Sequence, residues 1–208
     1  MINDGIVIIG YSGHAFVVID ILRSTNKKVI GYCDISEKRL NPYELKYLGK
    51  ENSEPALKLI SQYTYFTAIG DNTLRFSINK KITSATQKKP SLAIDQSSFI
   101  SPSAKIDAGV MVGGGARINA LSEINEGVIC NTHCVVEHEC FIGPYCHIAP
   151  GAVLCGNVSV GEFTFIGARS IIKQGINIGK NVIVGAGSVI INDIPDNSKV
   201  VGNPQRKI

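Results

Sequence analysis

From Ile100 to Ile190 an aliphatic residue or a cysteine returns at every sixth position without a break, through Ile106, Val112, Ile124, Cys130, Ile148, Val160, Ile172 and Val184. A period of six matches neither the 3.6-residue face of a helix nor the two-residue alternation of an ordinary strand, so the repeat itself must set the architecture. Four positions after each aliphatic residue stands a small or β-branched one, as at Ala104, Val110, Ala116, Ser122, Cys134, Cys140, Cys146, Thr164 and Ser188. If three short strands close one triangular coil of roughly 18 residues, the large residues fill its corners and the small ones pack beside them. The span then predicts about five coils. One coil cannot bury its own apolar side, whereas a stack shares one interior and satisfies its backbone groups through neighbouring coils.

The first 95 residues follow a different grammar. A short apolar strand, Ile6 to Ile9, runs into the turn Gly10, Tyr11, Ser12, Gly13, His14, and an apolar-periodic helix follows through Val17, Val18, Ile21 and Leu22. Strand, glycine turn and helix form a nucleotide-binding opening, because backbone N–H groups and a helix N-terminus attract phosphate. The full G-x-G-x-x-G fingerprint is absent, since Ser12 and Ala15 stand where its later glycines would, and this argues against bound NAD. A second strand, Val29 to Cys33, ends at Asp34, near where an acidic residue closes many dinucleotide folds. Residues 41–54 read as loop, Pro55 to Gln62 as helix, Tyr65 to Ile69 as a third strand, Arg75 to Ala85 as helix and Ser91 to Ile94 as a last strand. These elements predict a Rossmann-like parallel-sheet α/β domain over 1–95, followed by a β-solenoid over 96–208.

Composition narrows the function classes. With 44% hydrophobic and 18% charged residues the chain has the balance of a globular protein, and no apolar run approaches the ~20 residues that span a bilayer. No positively charged leader precedes the first strand, so the expected location is cytoplasmic, without a membrane partner. The net charge is +4, its lysine pairs are scattered, and there is no Trp, which gives no basis for a nucleic-acid partner. The six cysteines form no C-x-x-C pair, and Cys134, Cys140 and Cys146 fall on the small positions of the repeat, so reduced, buried thiols are expected.

Three of the four histidines, His133, His138 and His147, lie within fifteen residues. His138 is flanked by Glu137 and Glu139. Imidazole is the side chain suited to proton transfer near neutral pH, and a carboxylate on its second nitrogen fixes the tautomer. Adjacent residues of a strand point to opposite faces, so this pairing requires a bend at a coil corner. His147 follows His138 by nine residues, half a coil, so the two converge only across a boundary between chains.

The hexapeptide repeats resemble those of the left-handed parallel β-helix acyltransferases, and the handedness is taken from that resemblance. A G-x-x-G-H turn at Gly10 to His14, joined to a β-helix carrying Asn131, Thr132 and the run Val136 to Cys140, resembles the PglD/NeuD-type sugar acetyltransferases over essentially the whole chain. The resemblance implies acetyl-CoA-dependent acetylation of the amino group, at C4, of a nucleotide-linked deoxyamino sugar in bacterial surface-glycan biosynthesis. It also implies a homotrimer with active sites between adjacent prisms. By motif, His138 is the expected general base and Glu139 its partner, with Asn131 beside the sugar and Gly10, Ser12, Gly13, His14 and Asp34 holding the nucleotide. His147, Gly156, Ala168 and Ala186 are expected along the acetyl-CoA groove, with the Gly156 N–H facing the thioester oxygen. Three positions depart from the family pattern: Ala15, Ile35 and Ala186. The tail Gly202 to Lys207 is similar to one that caps the last coil, with Arg206 and Lys207 near coenzyme A phosphates.

Three other readings use the same residues. O-acetylation of a sialic acid needs the same base but no nucleotide on the acceptor. A β-helix carbonic anhydrase would draw zinc ligands from His133 and His138, but zinc catalysis needs three, and no histidine lies two coils upstream, so no metal is expected. A non-catalytic scaffold leaves the Glu-His-Glu run without a role.

Overall fold

In the computed structural model, which describes residues 5–208, the chain divides into two units between Ile94 and Asp95. The N-terminal unit is built on β1 (Ile6–Ile9), β2 (Val29–Cys33) and β3 (Thr64–Thr67), all parallel in the order β2-β1-β3. Central β1 is buried along its whole length, which explains why it reads as four unbroken aliphatics instead of an alternating strand. The helices are α1 (Gly13–Ser24), α2 (Glu54–Gln62) and α3 (Asn72–Thr86). Val7, Ile9, Cys33, Ala56, Ile60, Tyr65, Ile78 and Ile82 form a core shared by sheet and helices.

Several boundaries differ from the sequence reading. The third strand stops at Thr67 and the following helix starts three residues before Arg75. Asp71, read as part of a turn, is the N-cap of α3, its side chain accepting a hydrogen bond from Leu74 N at 2.7 Å. A short β4 (Ala93–Ile94) closes the unit. The loop after β2 runs back along that strand, with Tyr32 N donating to Lys46 O and Leu48 N to Tyr32 O. Gly31 permits this approach, since a Cβ there would lie 2.5 Å from Lys46 O. No helix among the described residues is long and apolar enough to cross a membrane.

From Asp95 onward the chain winds through three faces of two-residue strands. Face I holds Met111–Val112, Ile129–Cys130, His147–Ile148, Phe165–Ile166 and Ile183–Val184. Face II carries Phe99–Ile100, Arg117–Ile118, Val135–Val136, Val153–Leu154, Ile171–Ile172 and Val189–Ile190. Face III begins at Lys105–Ile106 and ends at Asn177–Ile178. All pair in parallel with partners eighteen residues away.

The aliphatic series therefore occupies the inward second residue of each strand, and not the corners as expected. The corners are tight turns, and at every sixth residue from Gly109 to Gly187 the backbone has positive φ. Eight of these positions are not glycine, His133 (φ 54°) and Glu139 (φ 60°) among them. Each costs an L-residue about 1–2 kcal/mol, so the neighbouring ladder bonds must hold it in place. The small series follows each corner and is buried from Val110 onward. Its polar members bond carbonyls of the next coil: Ser122 Oγ donates to Glu137 O at 2.7 Å, Thr164 Oγ1 to Gly179 O at 2.8 Å and Cys146 Sγ to Gly161 O at 2.9 Å. This is why hydroxyls and thiols are tolerated in an apolar interior. All six cysteines are free.

The solenoid has about six turns rather than five. Beyond Ile190 the spacing contracts: Ile194 bridges Ile178, and Lys199–Val201 pairs with Ile183–Val184, sixteen residues away instead of eighteen. The lost two residues break the six-residue pattern while the ladder itself continues.

Candidate active site

His138 and Glu139 are the two turn residues at the corner between faces II and III. The left-handed backbone at Glu139 supplies the required bend, so side chains adjacent in sequence meet instead of diverging. His138 Nδ1 lies 2.9 Å from Glu139 Oε2, and both side chains are about half exposed. An ionised carboxylate can only accept, so Nδ1 carries the proton and Nε2 presents a lone pair. Glu137, the other flanking acid, is engaged through its main chain, its carbonyl accepting from Ser122 Oγ and its N–H donating to Leu154 O.

One coil further on, Gly156 forms the floor beneath this ring. A Cβ there would overlap His138 at Cε1, so glycine is what allows the imidazole to lie flat against the next coil. Gly156 O accepts from Gly175 N, while its N–H donates no hydrogen bond among the described residues. The N–H groups of Ala168 and Ala186, stacked eighteen residues apart at the corner between faces I and II, are likewise unspent. Such a column of outward N–H groups suits an extended chain of amides.

Asn131 and His147 form a second cluster. Asn131 Oδ1 accepts from Thr132 N at 2.8 Å, which turns its amide nitrogen toward His147 Nε2 at 3.1 Å. His147 Nε2 is then the acceptor and its proton sits on Nδ1. The ring is buried and meets Phe165 edge-on at 5.1 Å. His138 thus sits at the corner between faces II and III, and His147 on face I. His133 stands at the corner between faces I and II, apart from His138, and among the described residues no three His, Cys, Asp or Glu side chains cluster as a metal site.

In the N-terminal unit a cavity of about 350 Å³ is lined by Gly10, Tyr11, Ser12, Asp34, Ile35, Lys38, Glu51, Ile69, Leu74 and Lys81, over Ile9 and Ile78. It unites three of the five predicted nucleotide residues and leaves out Gly13 and His14. Gly10, at φ 85°, lets the turn pass close to Ile69, whose side chain a Cβ would press at 2.7 Å. His14 points into the protein: burial, with the nearby Arg75 guanidinium second, pulls its pKa down to about 4. Asp34 is a fastener for the turn. Its Oδ2 accepts from Tyr11 N at 2.9 Å, and its Oδ1 accepts from Ile35 N at 2.7 Å and meets Lys38 Nζ at 2.8 Å.

Sequence reasoning missed Arg75, Lys38, Glu51 and Lys81. Arg75 is 1% exposed and ties the end of β3 to α3, donating to Ile69 O, Gly70 O and Asn72 Oδ1 at 2.9–3.1 Å. An arginine in the first turn after Gly70-Asp71-Asn72 was the available signal. Glu51 and Lys81 sit in polar stretches that carry none.

Comparison with known proteins agrees with this layout. Residues 5–82 match the PglD N-terminal domain, 133–167 the bacterial transferase hexapeptide (six repeats) and 157–191 the hexapeptide repeat of succinyl-transferase. PerB from Caulobacter crescentus, solved with CoA and GDP-perosamine, is 37% identical, with 98% of this chain and 97% of that chain covered and a TM-score of 0.91. The acetyltransferase domain of PglB from Neisseria gonorrhoeae, in complex with acetyl coenzyme A, is 30% identical over 99% of this chain and all of that one, with a TM-score of 0.92. WeeI from Acinetobacter baumannii, at 24% identity and a TM-score of 0.80, shares the fold. Full-length similarity to PerB and PglB, an N-terminal unit of PglD type and an unbroken hexapeptide prism together show that the chain belongs to the PglD/NeuD-type sugar acetyltransferases of the left-handed β-helix class, and that it is an acyltransferase.

Proposed function

We propose that the protein transfers the acetyl group of acetyl-CoA directly to the amino group, at C4, of a nucleotide-linked deoxyamino sugar. The observation that carries this is the His138–Glu139 pair, which leaves Nε2 as a bare base on a rigid corner. The neutral amine attacks the thioester carbonyl, and its proton passes to Nε2 as the C–N bond forms. Glu139 stabilises the resulting imidazolium, and the departing CoA thiolate takes that proton back. The unspent Gly156 N–H, beside the ring, is placed to bond the oxygen of the tetrahedral intermediate.

Ala168 and Ala186 present N–H groups suited to the pantetheine amides, and the cavity behind Gly10 and Ser12 suits the nucleotide. His147 lies on face I and Asn131 at the start of the turn that follows it, away from the His138 corner, which supports a site completed by a neighbouring chain in a homotrimer. Phe99, Phe141 and Ile171, each more than 40% exposed on the outer faces, are apolar surface such an assembly would cover.

The test is turnover of acetyl-CoA with a panel of nucleotide-linked amino sugars, beside matched hydroxyl acceptors and sialic acid. His138→Asn should lower kcat by roughly 10²-fold or more with the fold and assembly unchanged. Turnover near that of the parent protein rejects the base assignment, and a burst of acylated enzyme rejects direct transfer.

A further inference from the structure

The N-terminal cavity has two lining carboxylates, and they are in opposite states. Asp34 has both oxygens engaged within the protein, by Tyr11 N, Ile35 N and Lys38. Glu51 lines the same cavity, and its carboxylate accepts no hydrogen bond and forms no ion pair among the described residues, while lying near enough to Cys33 to raise its thiol pKa after burial has done so. An unengaged acceptor in a pocket is where a ligand's donors are read.

The same cavity exposes two aliphatic side chains at its mouth, Ile35 at 75% and Leu74 at 50%. Large aliphatics left in water beside a polar slot favour a flat, partly apolar ligand that covers them. The Gly10 to Ser12 wall supplies the turn and helix start that suit phosphate, so a nucleoside diphosphate would direct its base toward the remaining walls.

A carboxylate discriminates sharply among bases, because it can only accept. Uracil and thymine offer one ring N–H between two carbonyl oxygens, which repel it. Adenine and cytosine place a lone pair next to their amino group. Guanine alone presents two adjacent donors, N1–H and the 2-amino group, that match both carboxylate oxygens at once. We infer that Glu51 is a specificity-determining residue that selects guanine, so that the sugar this enzyme acetylates is carried on guanosine diphosphate. The inference rests on the nucleotide-sugar reading above and adds the base and the residue that reads it.

The experiment is calorimetric binding of GDP, IDP, UDP and dTDP to the full chain and to Glu51→Gln. IDP is guanosine diphosphate without its 2-amino group, so comparing it with GDP tests the contact with no variant at all. GDP should bind the parent protein about tenfold to hundredfold more tightly than IDP, UDP or dTDP, the range of a bidentate base contact. Glu51→Gln should remove most of that advantage while leaving UDP and dTDP binding as it was, and should raise KM for the sugar nucleotide but not for acetyl-CoA. Equal binding of GDP and IDP, or a GDP preference that survives in Glu51→Gln, overturns the assignment. UDP or dTDP binding more tightly than GDP overturns it while leaving the nucleotide-sugar reading intact. If none of the four binds, both fall together.

Discussion

In the solenoid a residue's surroundings follow from its place in the repeat; in the N-terminal unit they depend on which distant segments happen to meet. Ile148, Val160 and Ile172 are buried for one reason, and Glu139 and Asn157 share one backbone conformation for one reason. No such rule links Arg75 and Lys81, both on α3. The first is buried and bonded to two carbonyls and an amide oxygen, and the second is exposed at a cavity. A repeating stack suits chemistry, where one proton acceptor must stay fixed against the next coil. A cavity made from loops suits recognition, where side chains can be exchanged without disturbing a ladder.

The contrast can be broken at several points, the largest effect first. Leu154→Ala removes a fully buried side chain from mid-stack and should cost 2–5 kcal/mol. Because the coils are stabilised by their neighbours, hydrogen exchange should rise across residues 110–200 and stay unchanged over 6–86. Equal loss in both units would show that they unfold as one.

Acid should act on the other unit. His14 is held near pKa 4 when folded against 6.5 when free, so the unfolded chain takes up a proton that the folded one refuses. Its contribution is therefore whole above pH 6.5 and lost as pH falls toward 4, on the order of 3 kcal/mol. Exchange protection over 6–86 should fall through that window, and His14→Gln should flatten the fall. The solenoid's buried thiols stay neutral on acidification, with burial pushing Cys140 up to about 11.

Two further substitutions sharpen the account of the corner. Gly156→Ala puts a methyl group where the His138 ring lies and should lower kcat by up to about 10²-fold, with circular dichroism and melting temperature unchanged. Glu139→Gln keeps the shape but loses the charge that holds the imidazolium, and should cost about tenfold, or 1.4 kcal/mol. Its pH–rate profile should change as well. Full activity in both variants would leave the corner as architecture only.

Much of this was legible in the sequence, for reasons that differ by region. The hexapeptide series announced the prism because each side chain's fate is settled locally, but it put the aliphatics at the corners instead of inside the strands, and it gave out past Ile190, where the coil shortens by two residues. The His138 corner was readable because its three residues are contiguous. The N-terminal strands and helices were also readable, but their roles were not. Asp34 holds the turn through Tyr11, twenty-three residues away, and His14 is buried with the Arg75 guanidinium of a later helix nearby. Those facts exist only after folding.

The last strand of the chain has a consequence for assembly. Arg206–Lys207 runs antiparallel to Lys199–Val201, while Gln205 takes up the free edge of Val189 and Ile191 through its main-chain N–H and its side-chain oxygen. A parallel prism with a bare final rung would offer a template on which another copy could continue end to end, as fibres do. Reversing the strand direction there, and placing two cations on it, closes that route.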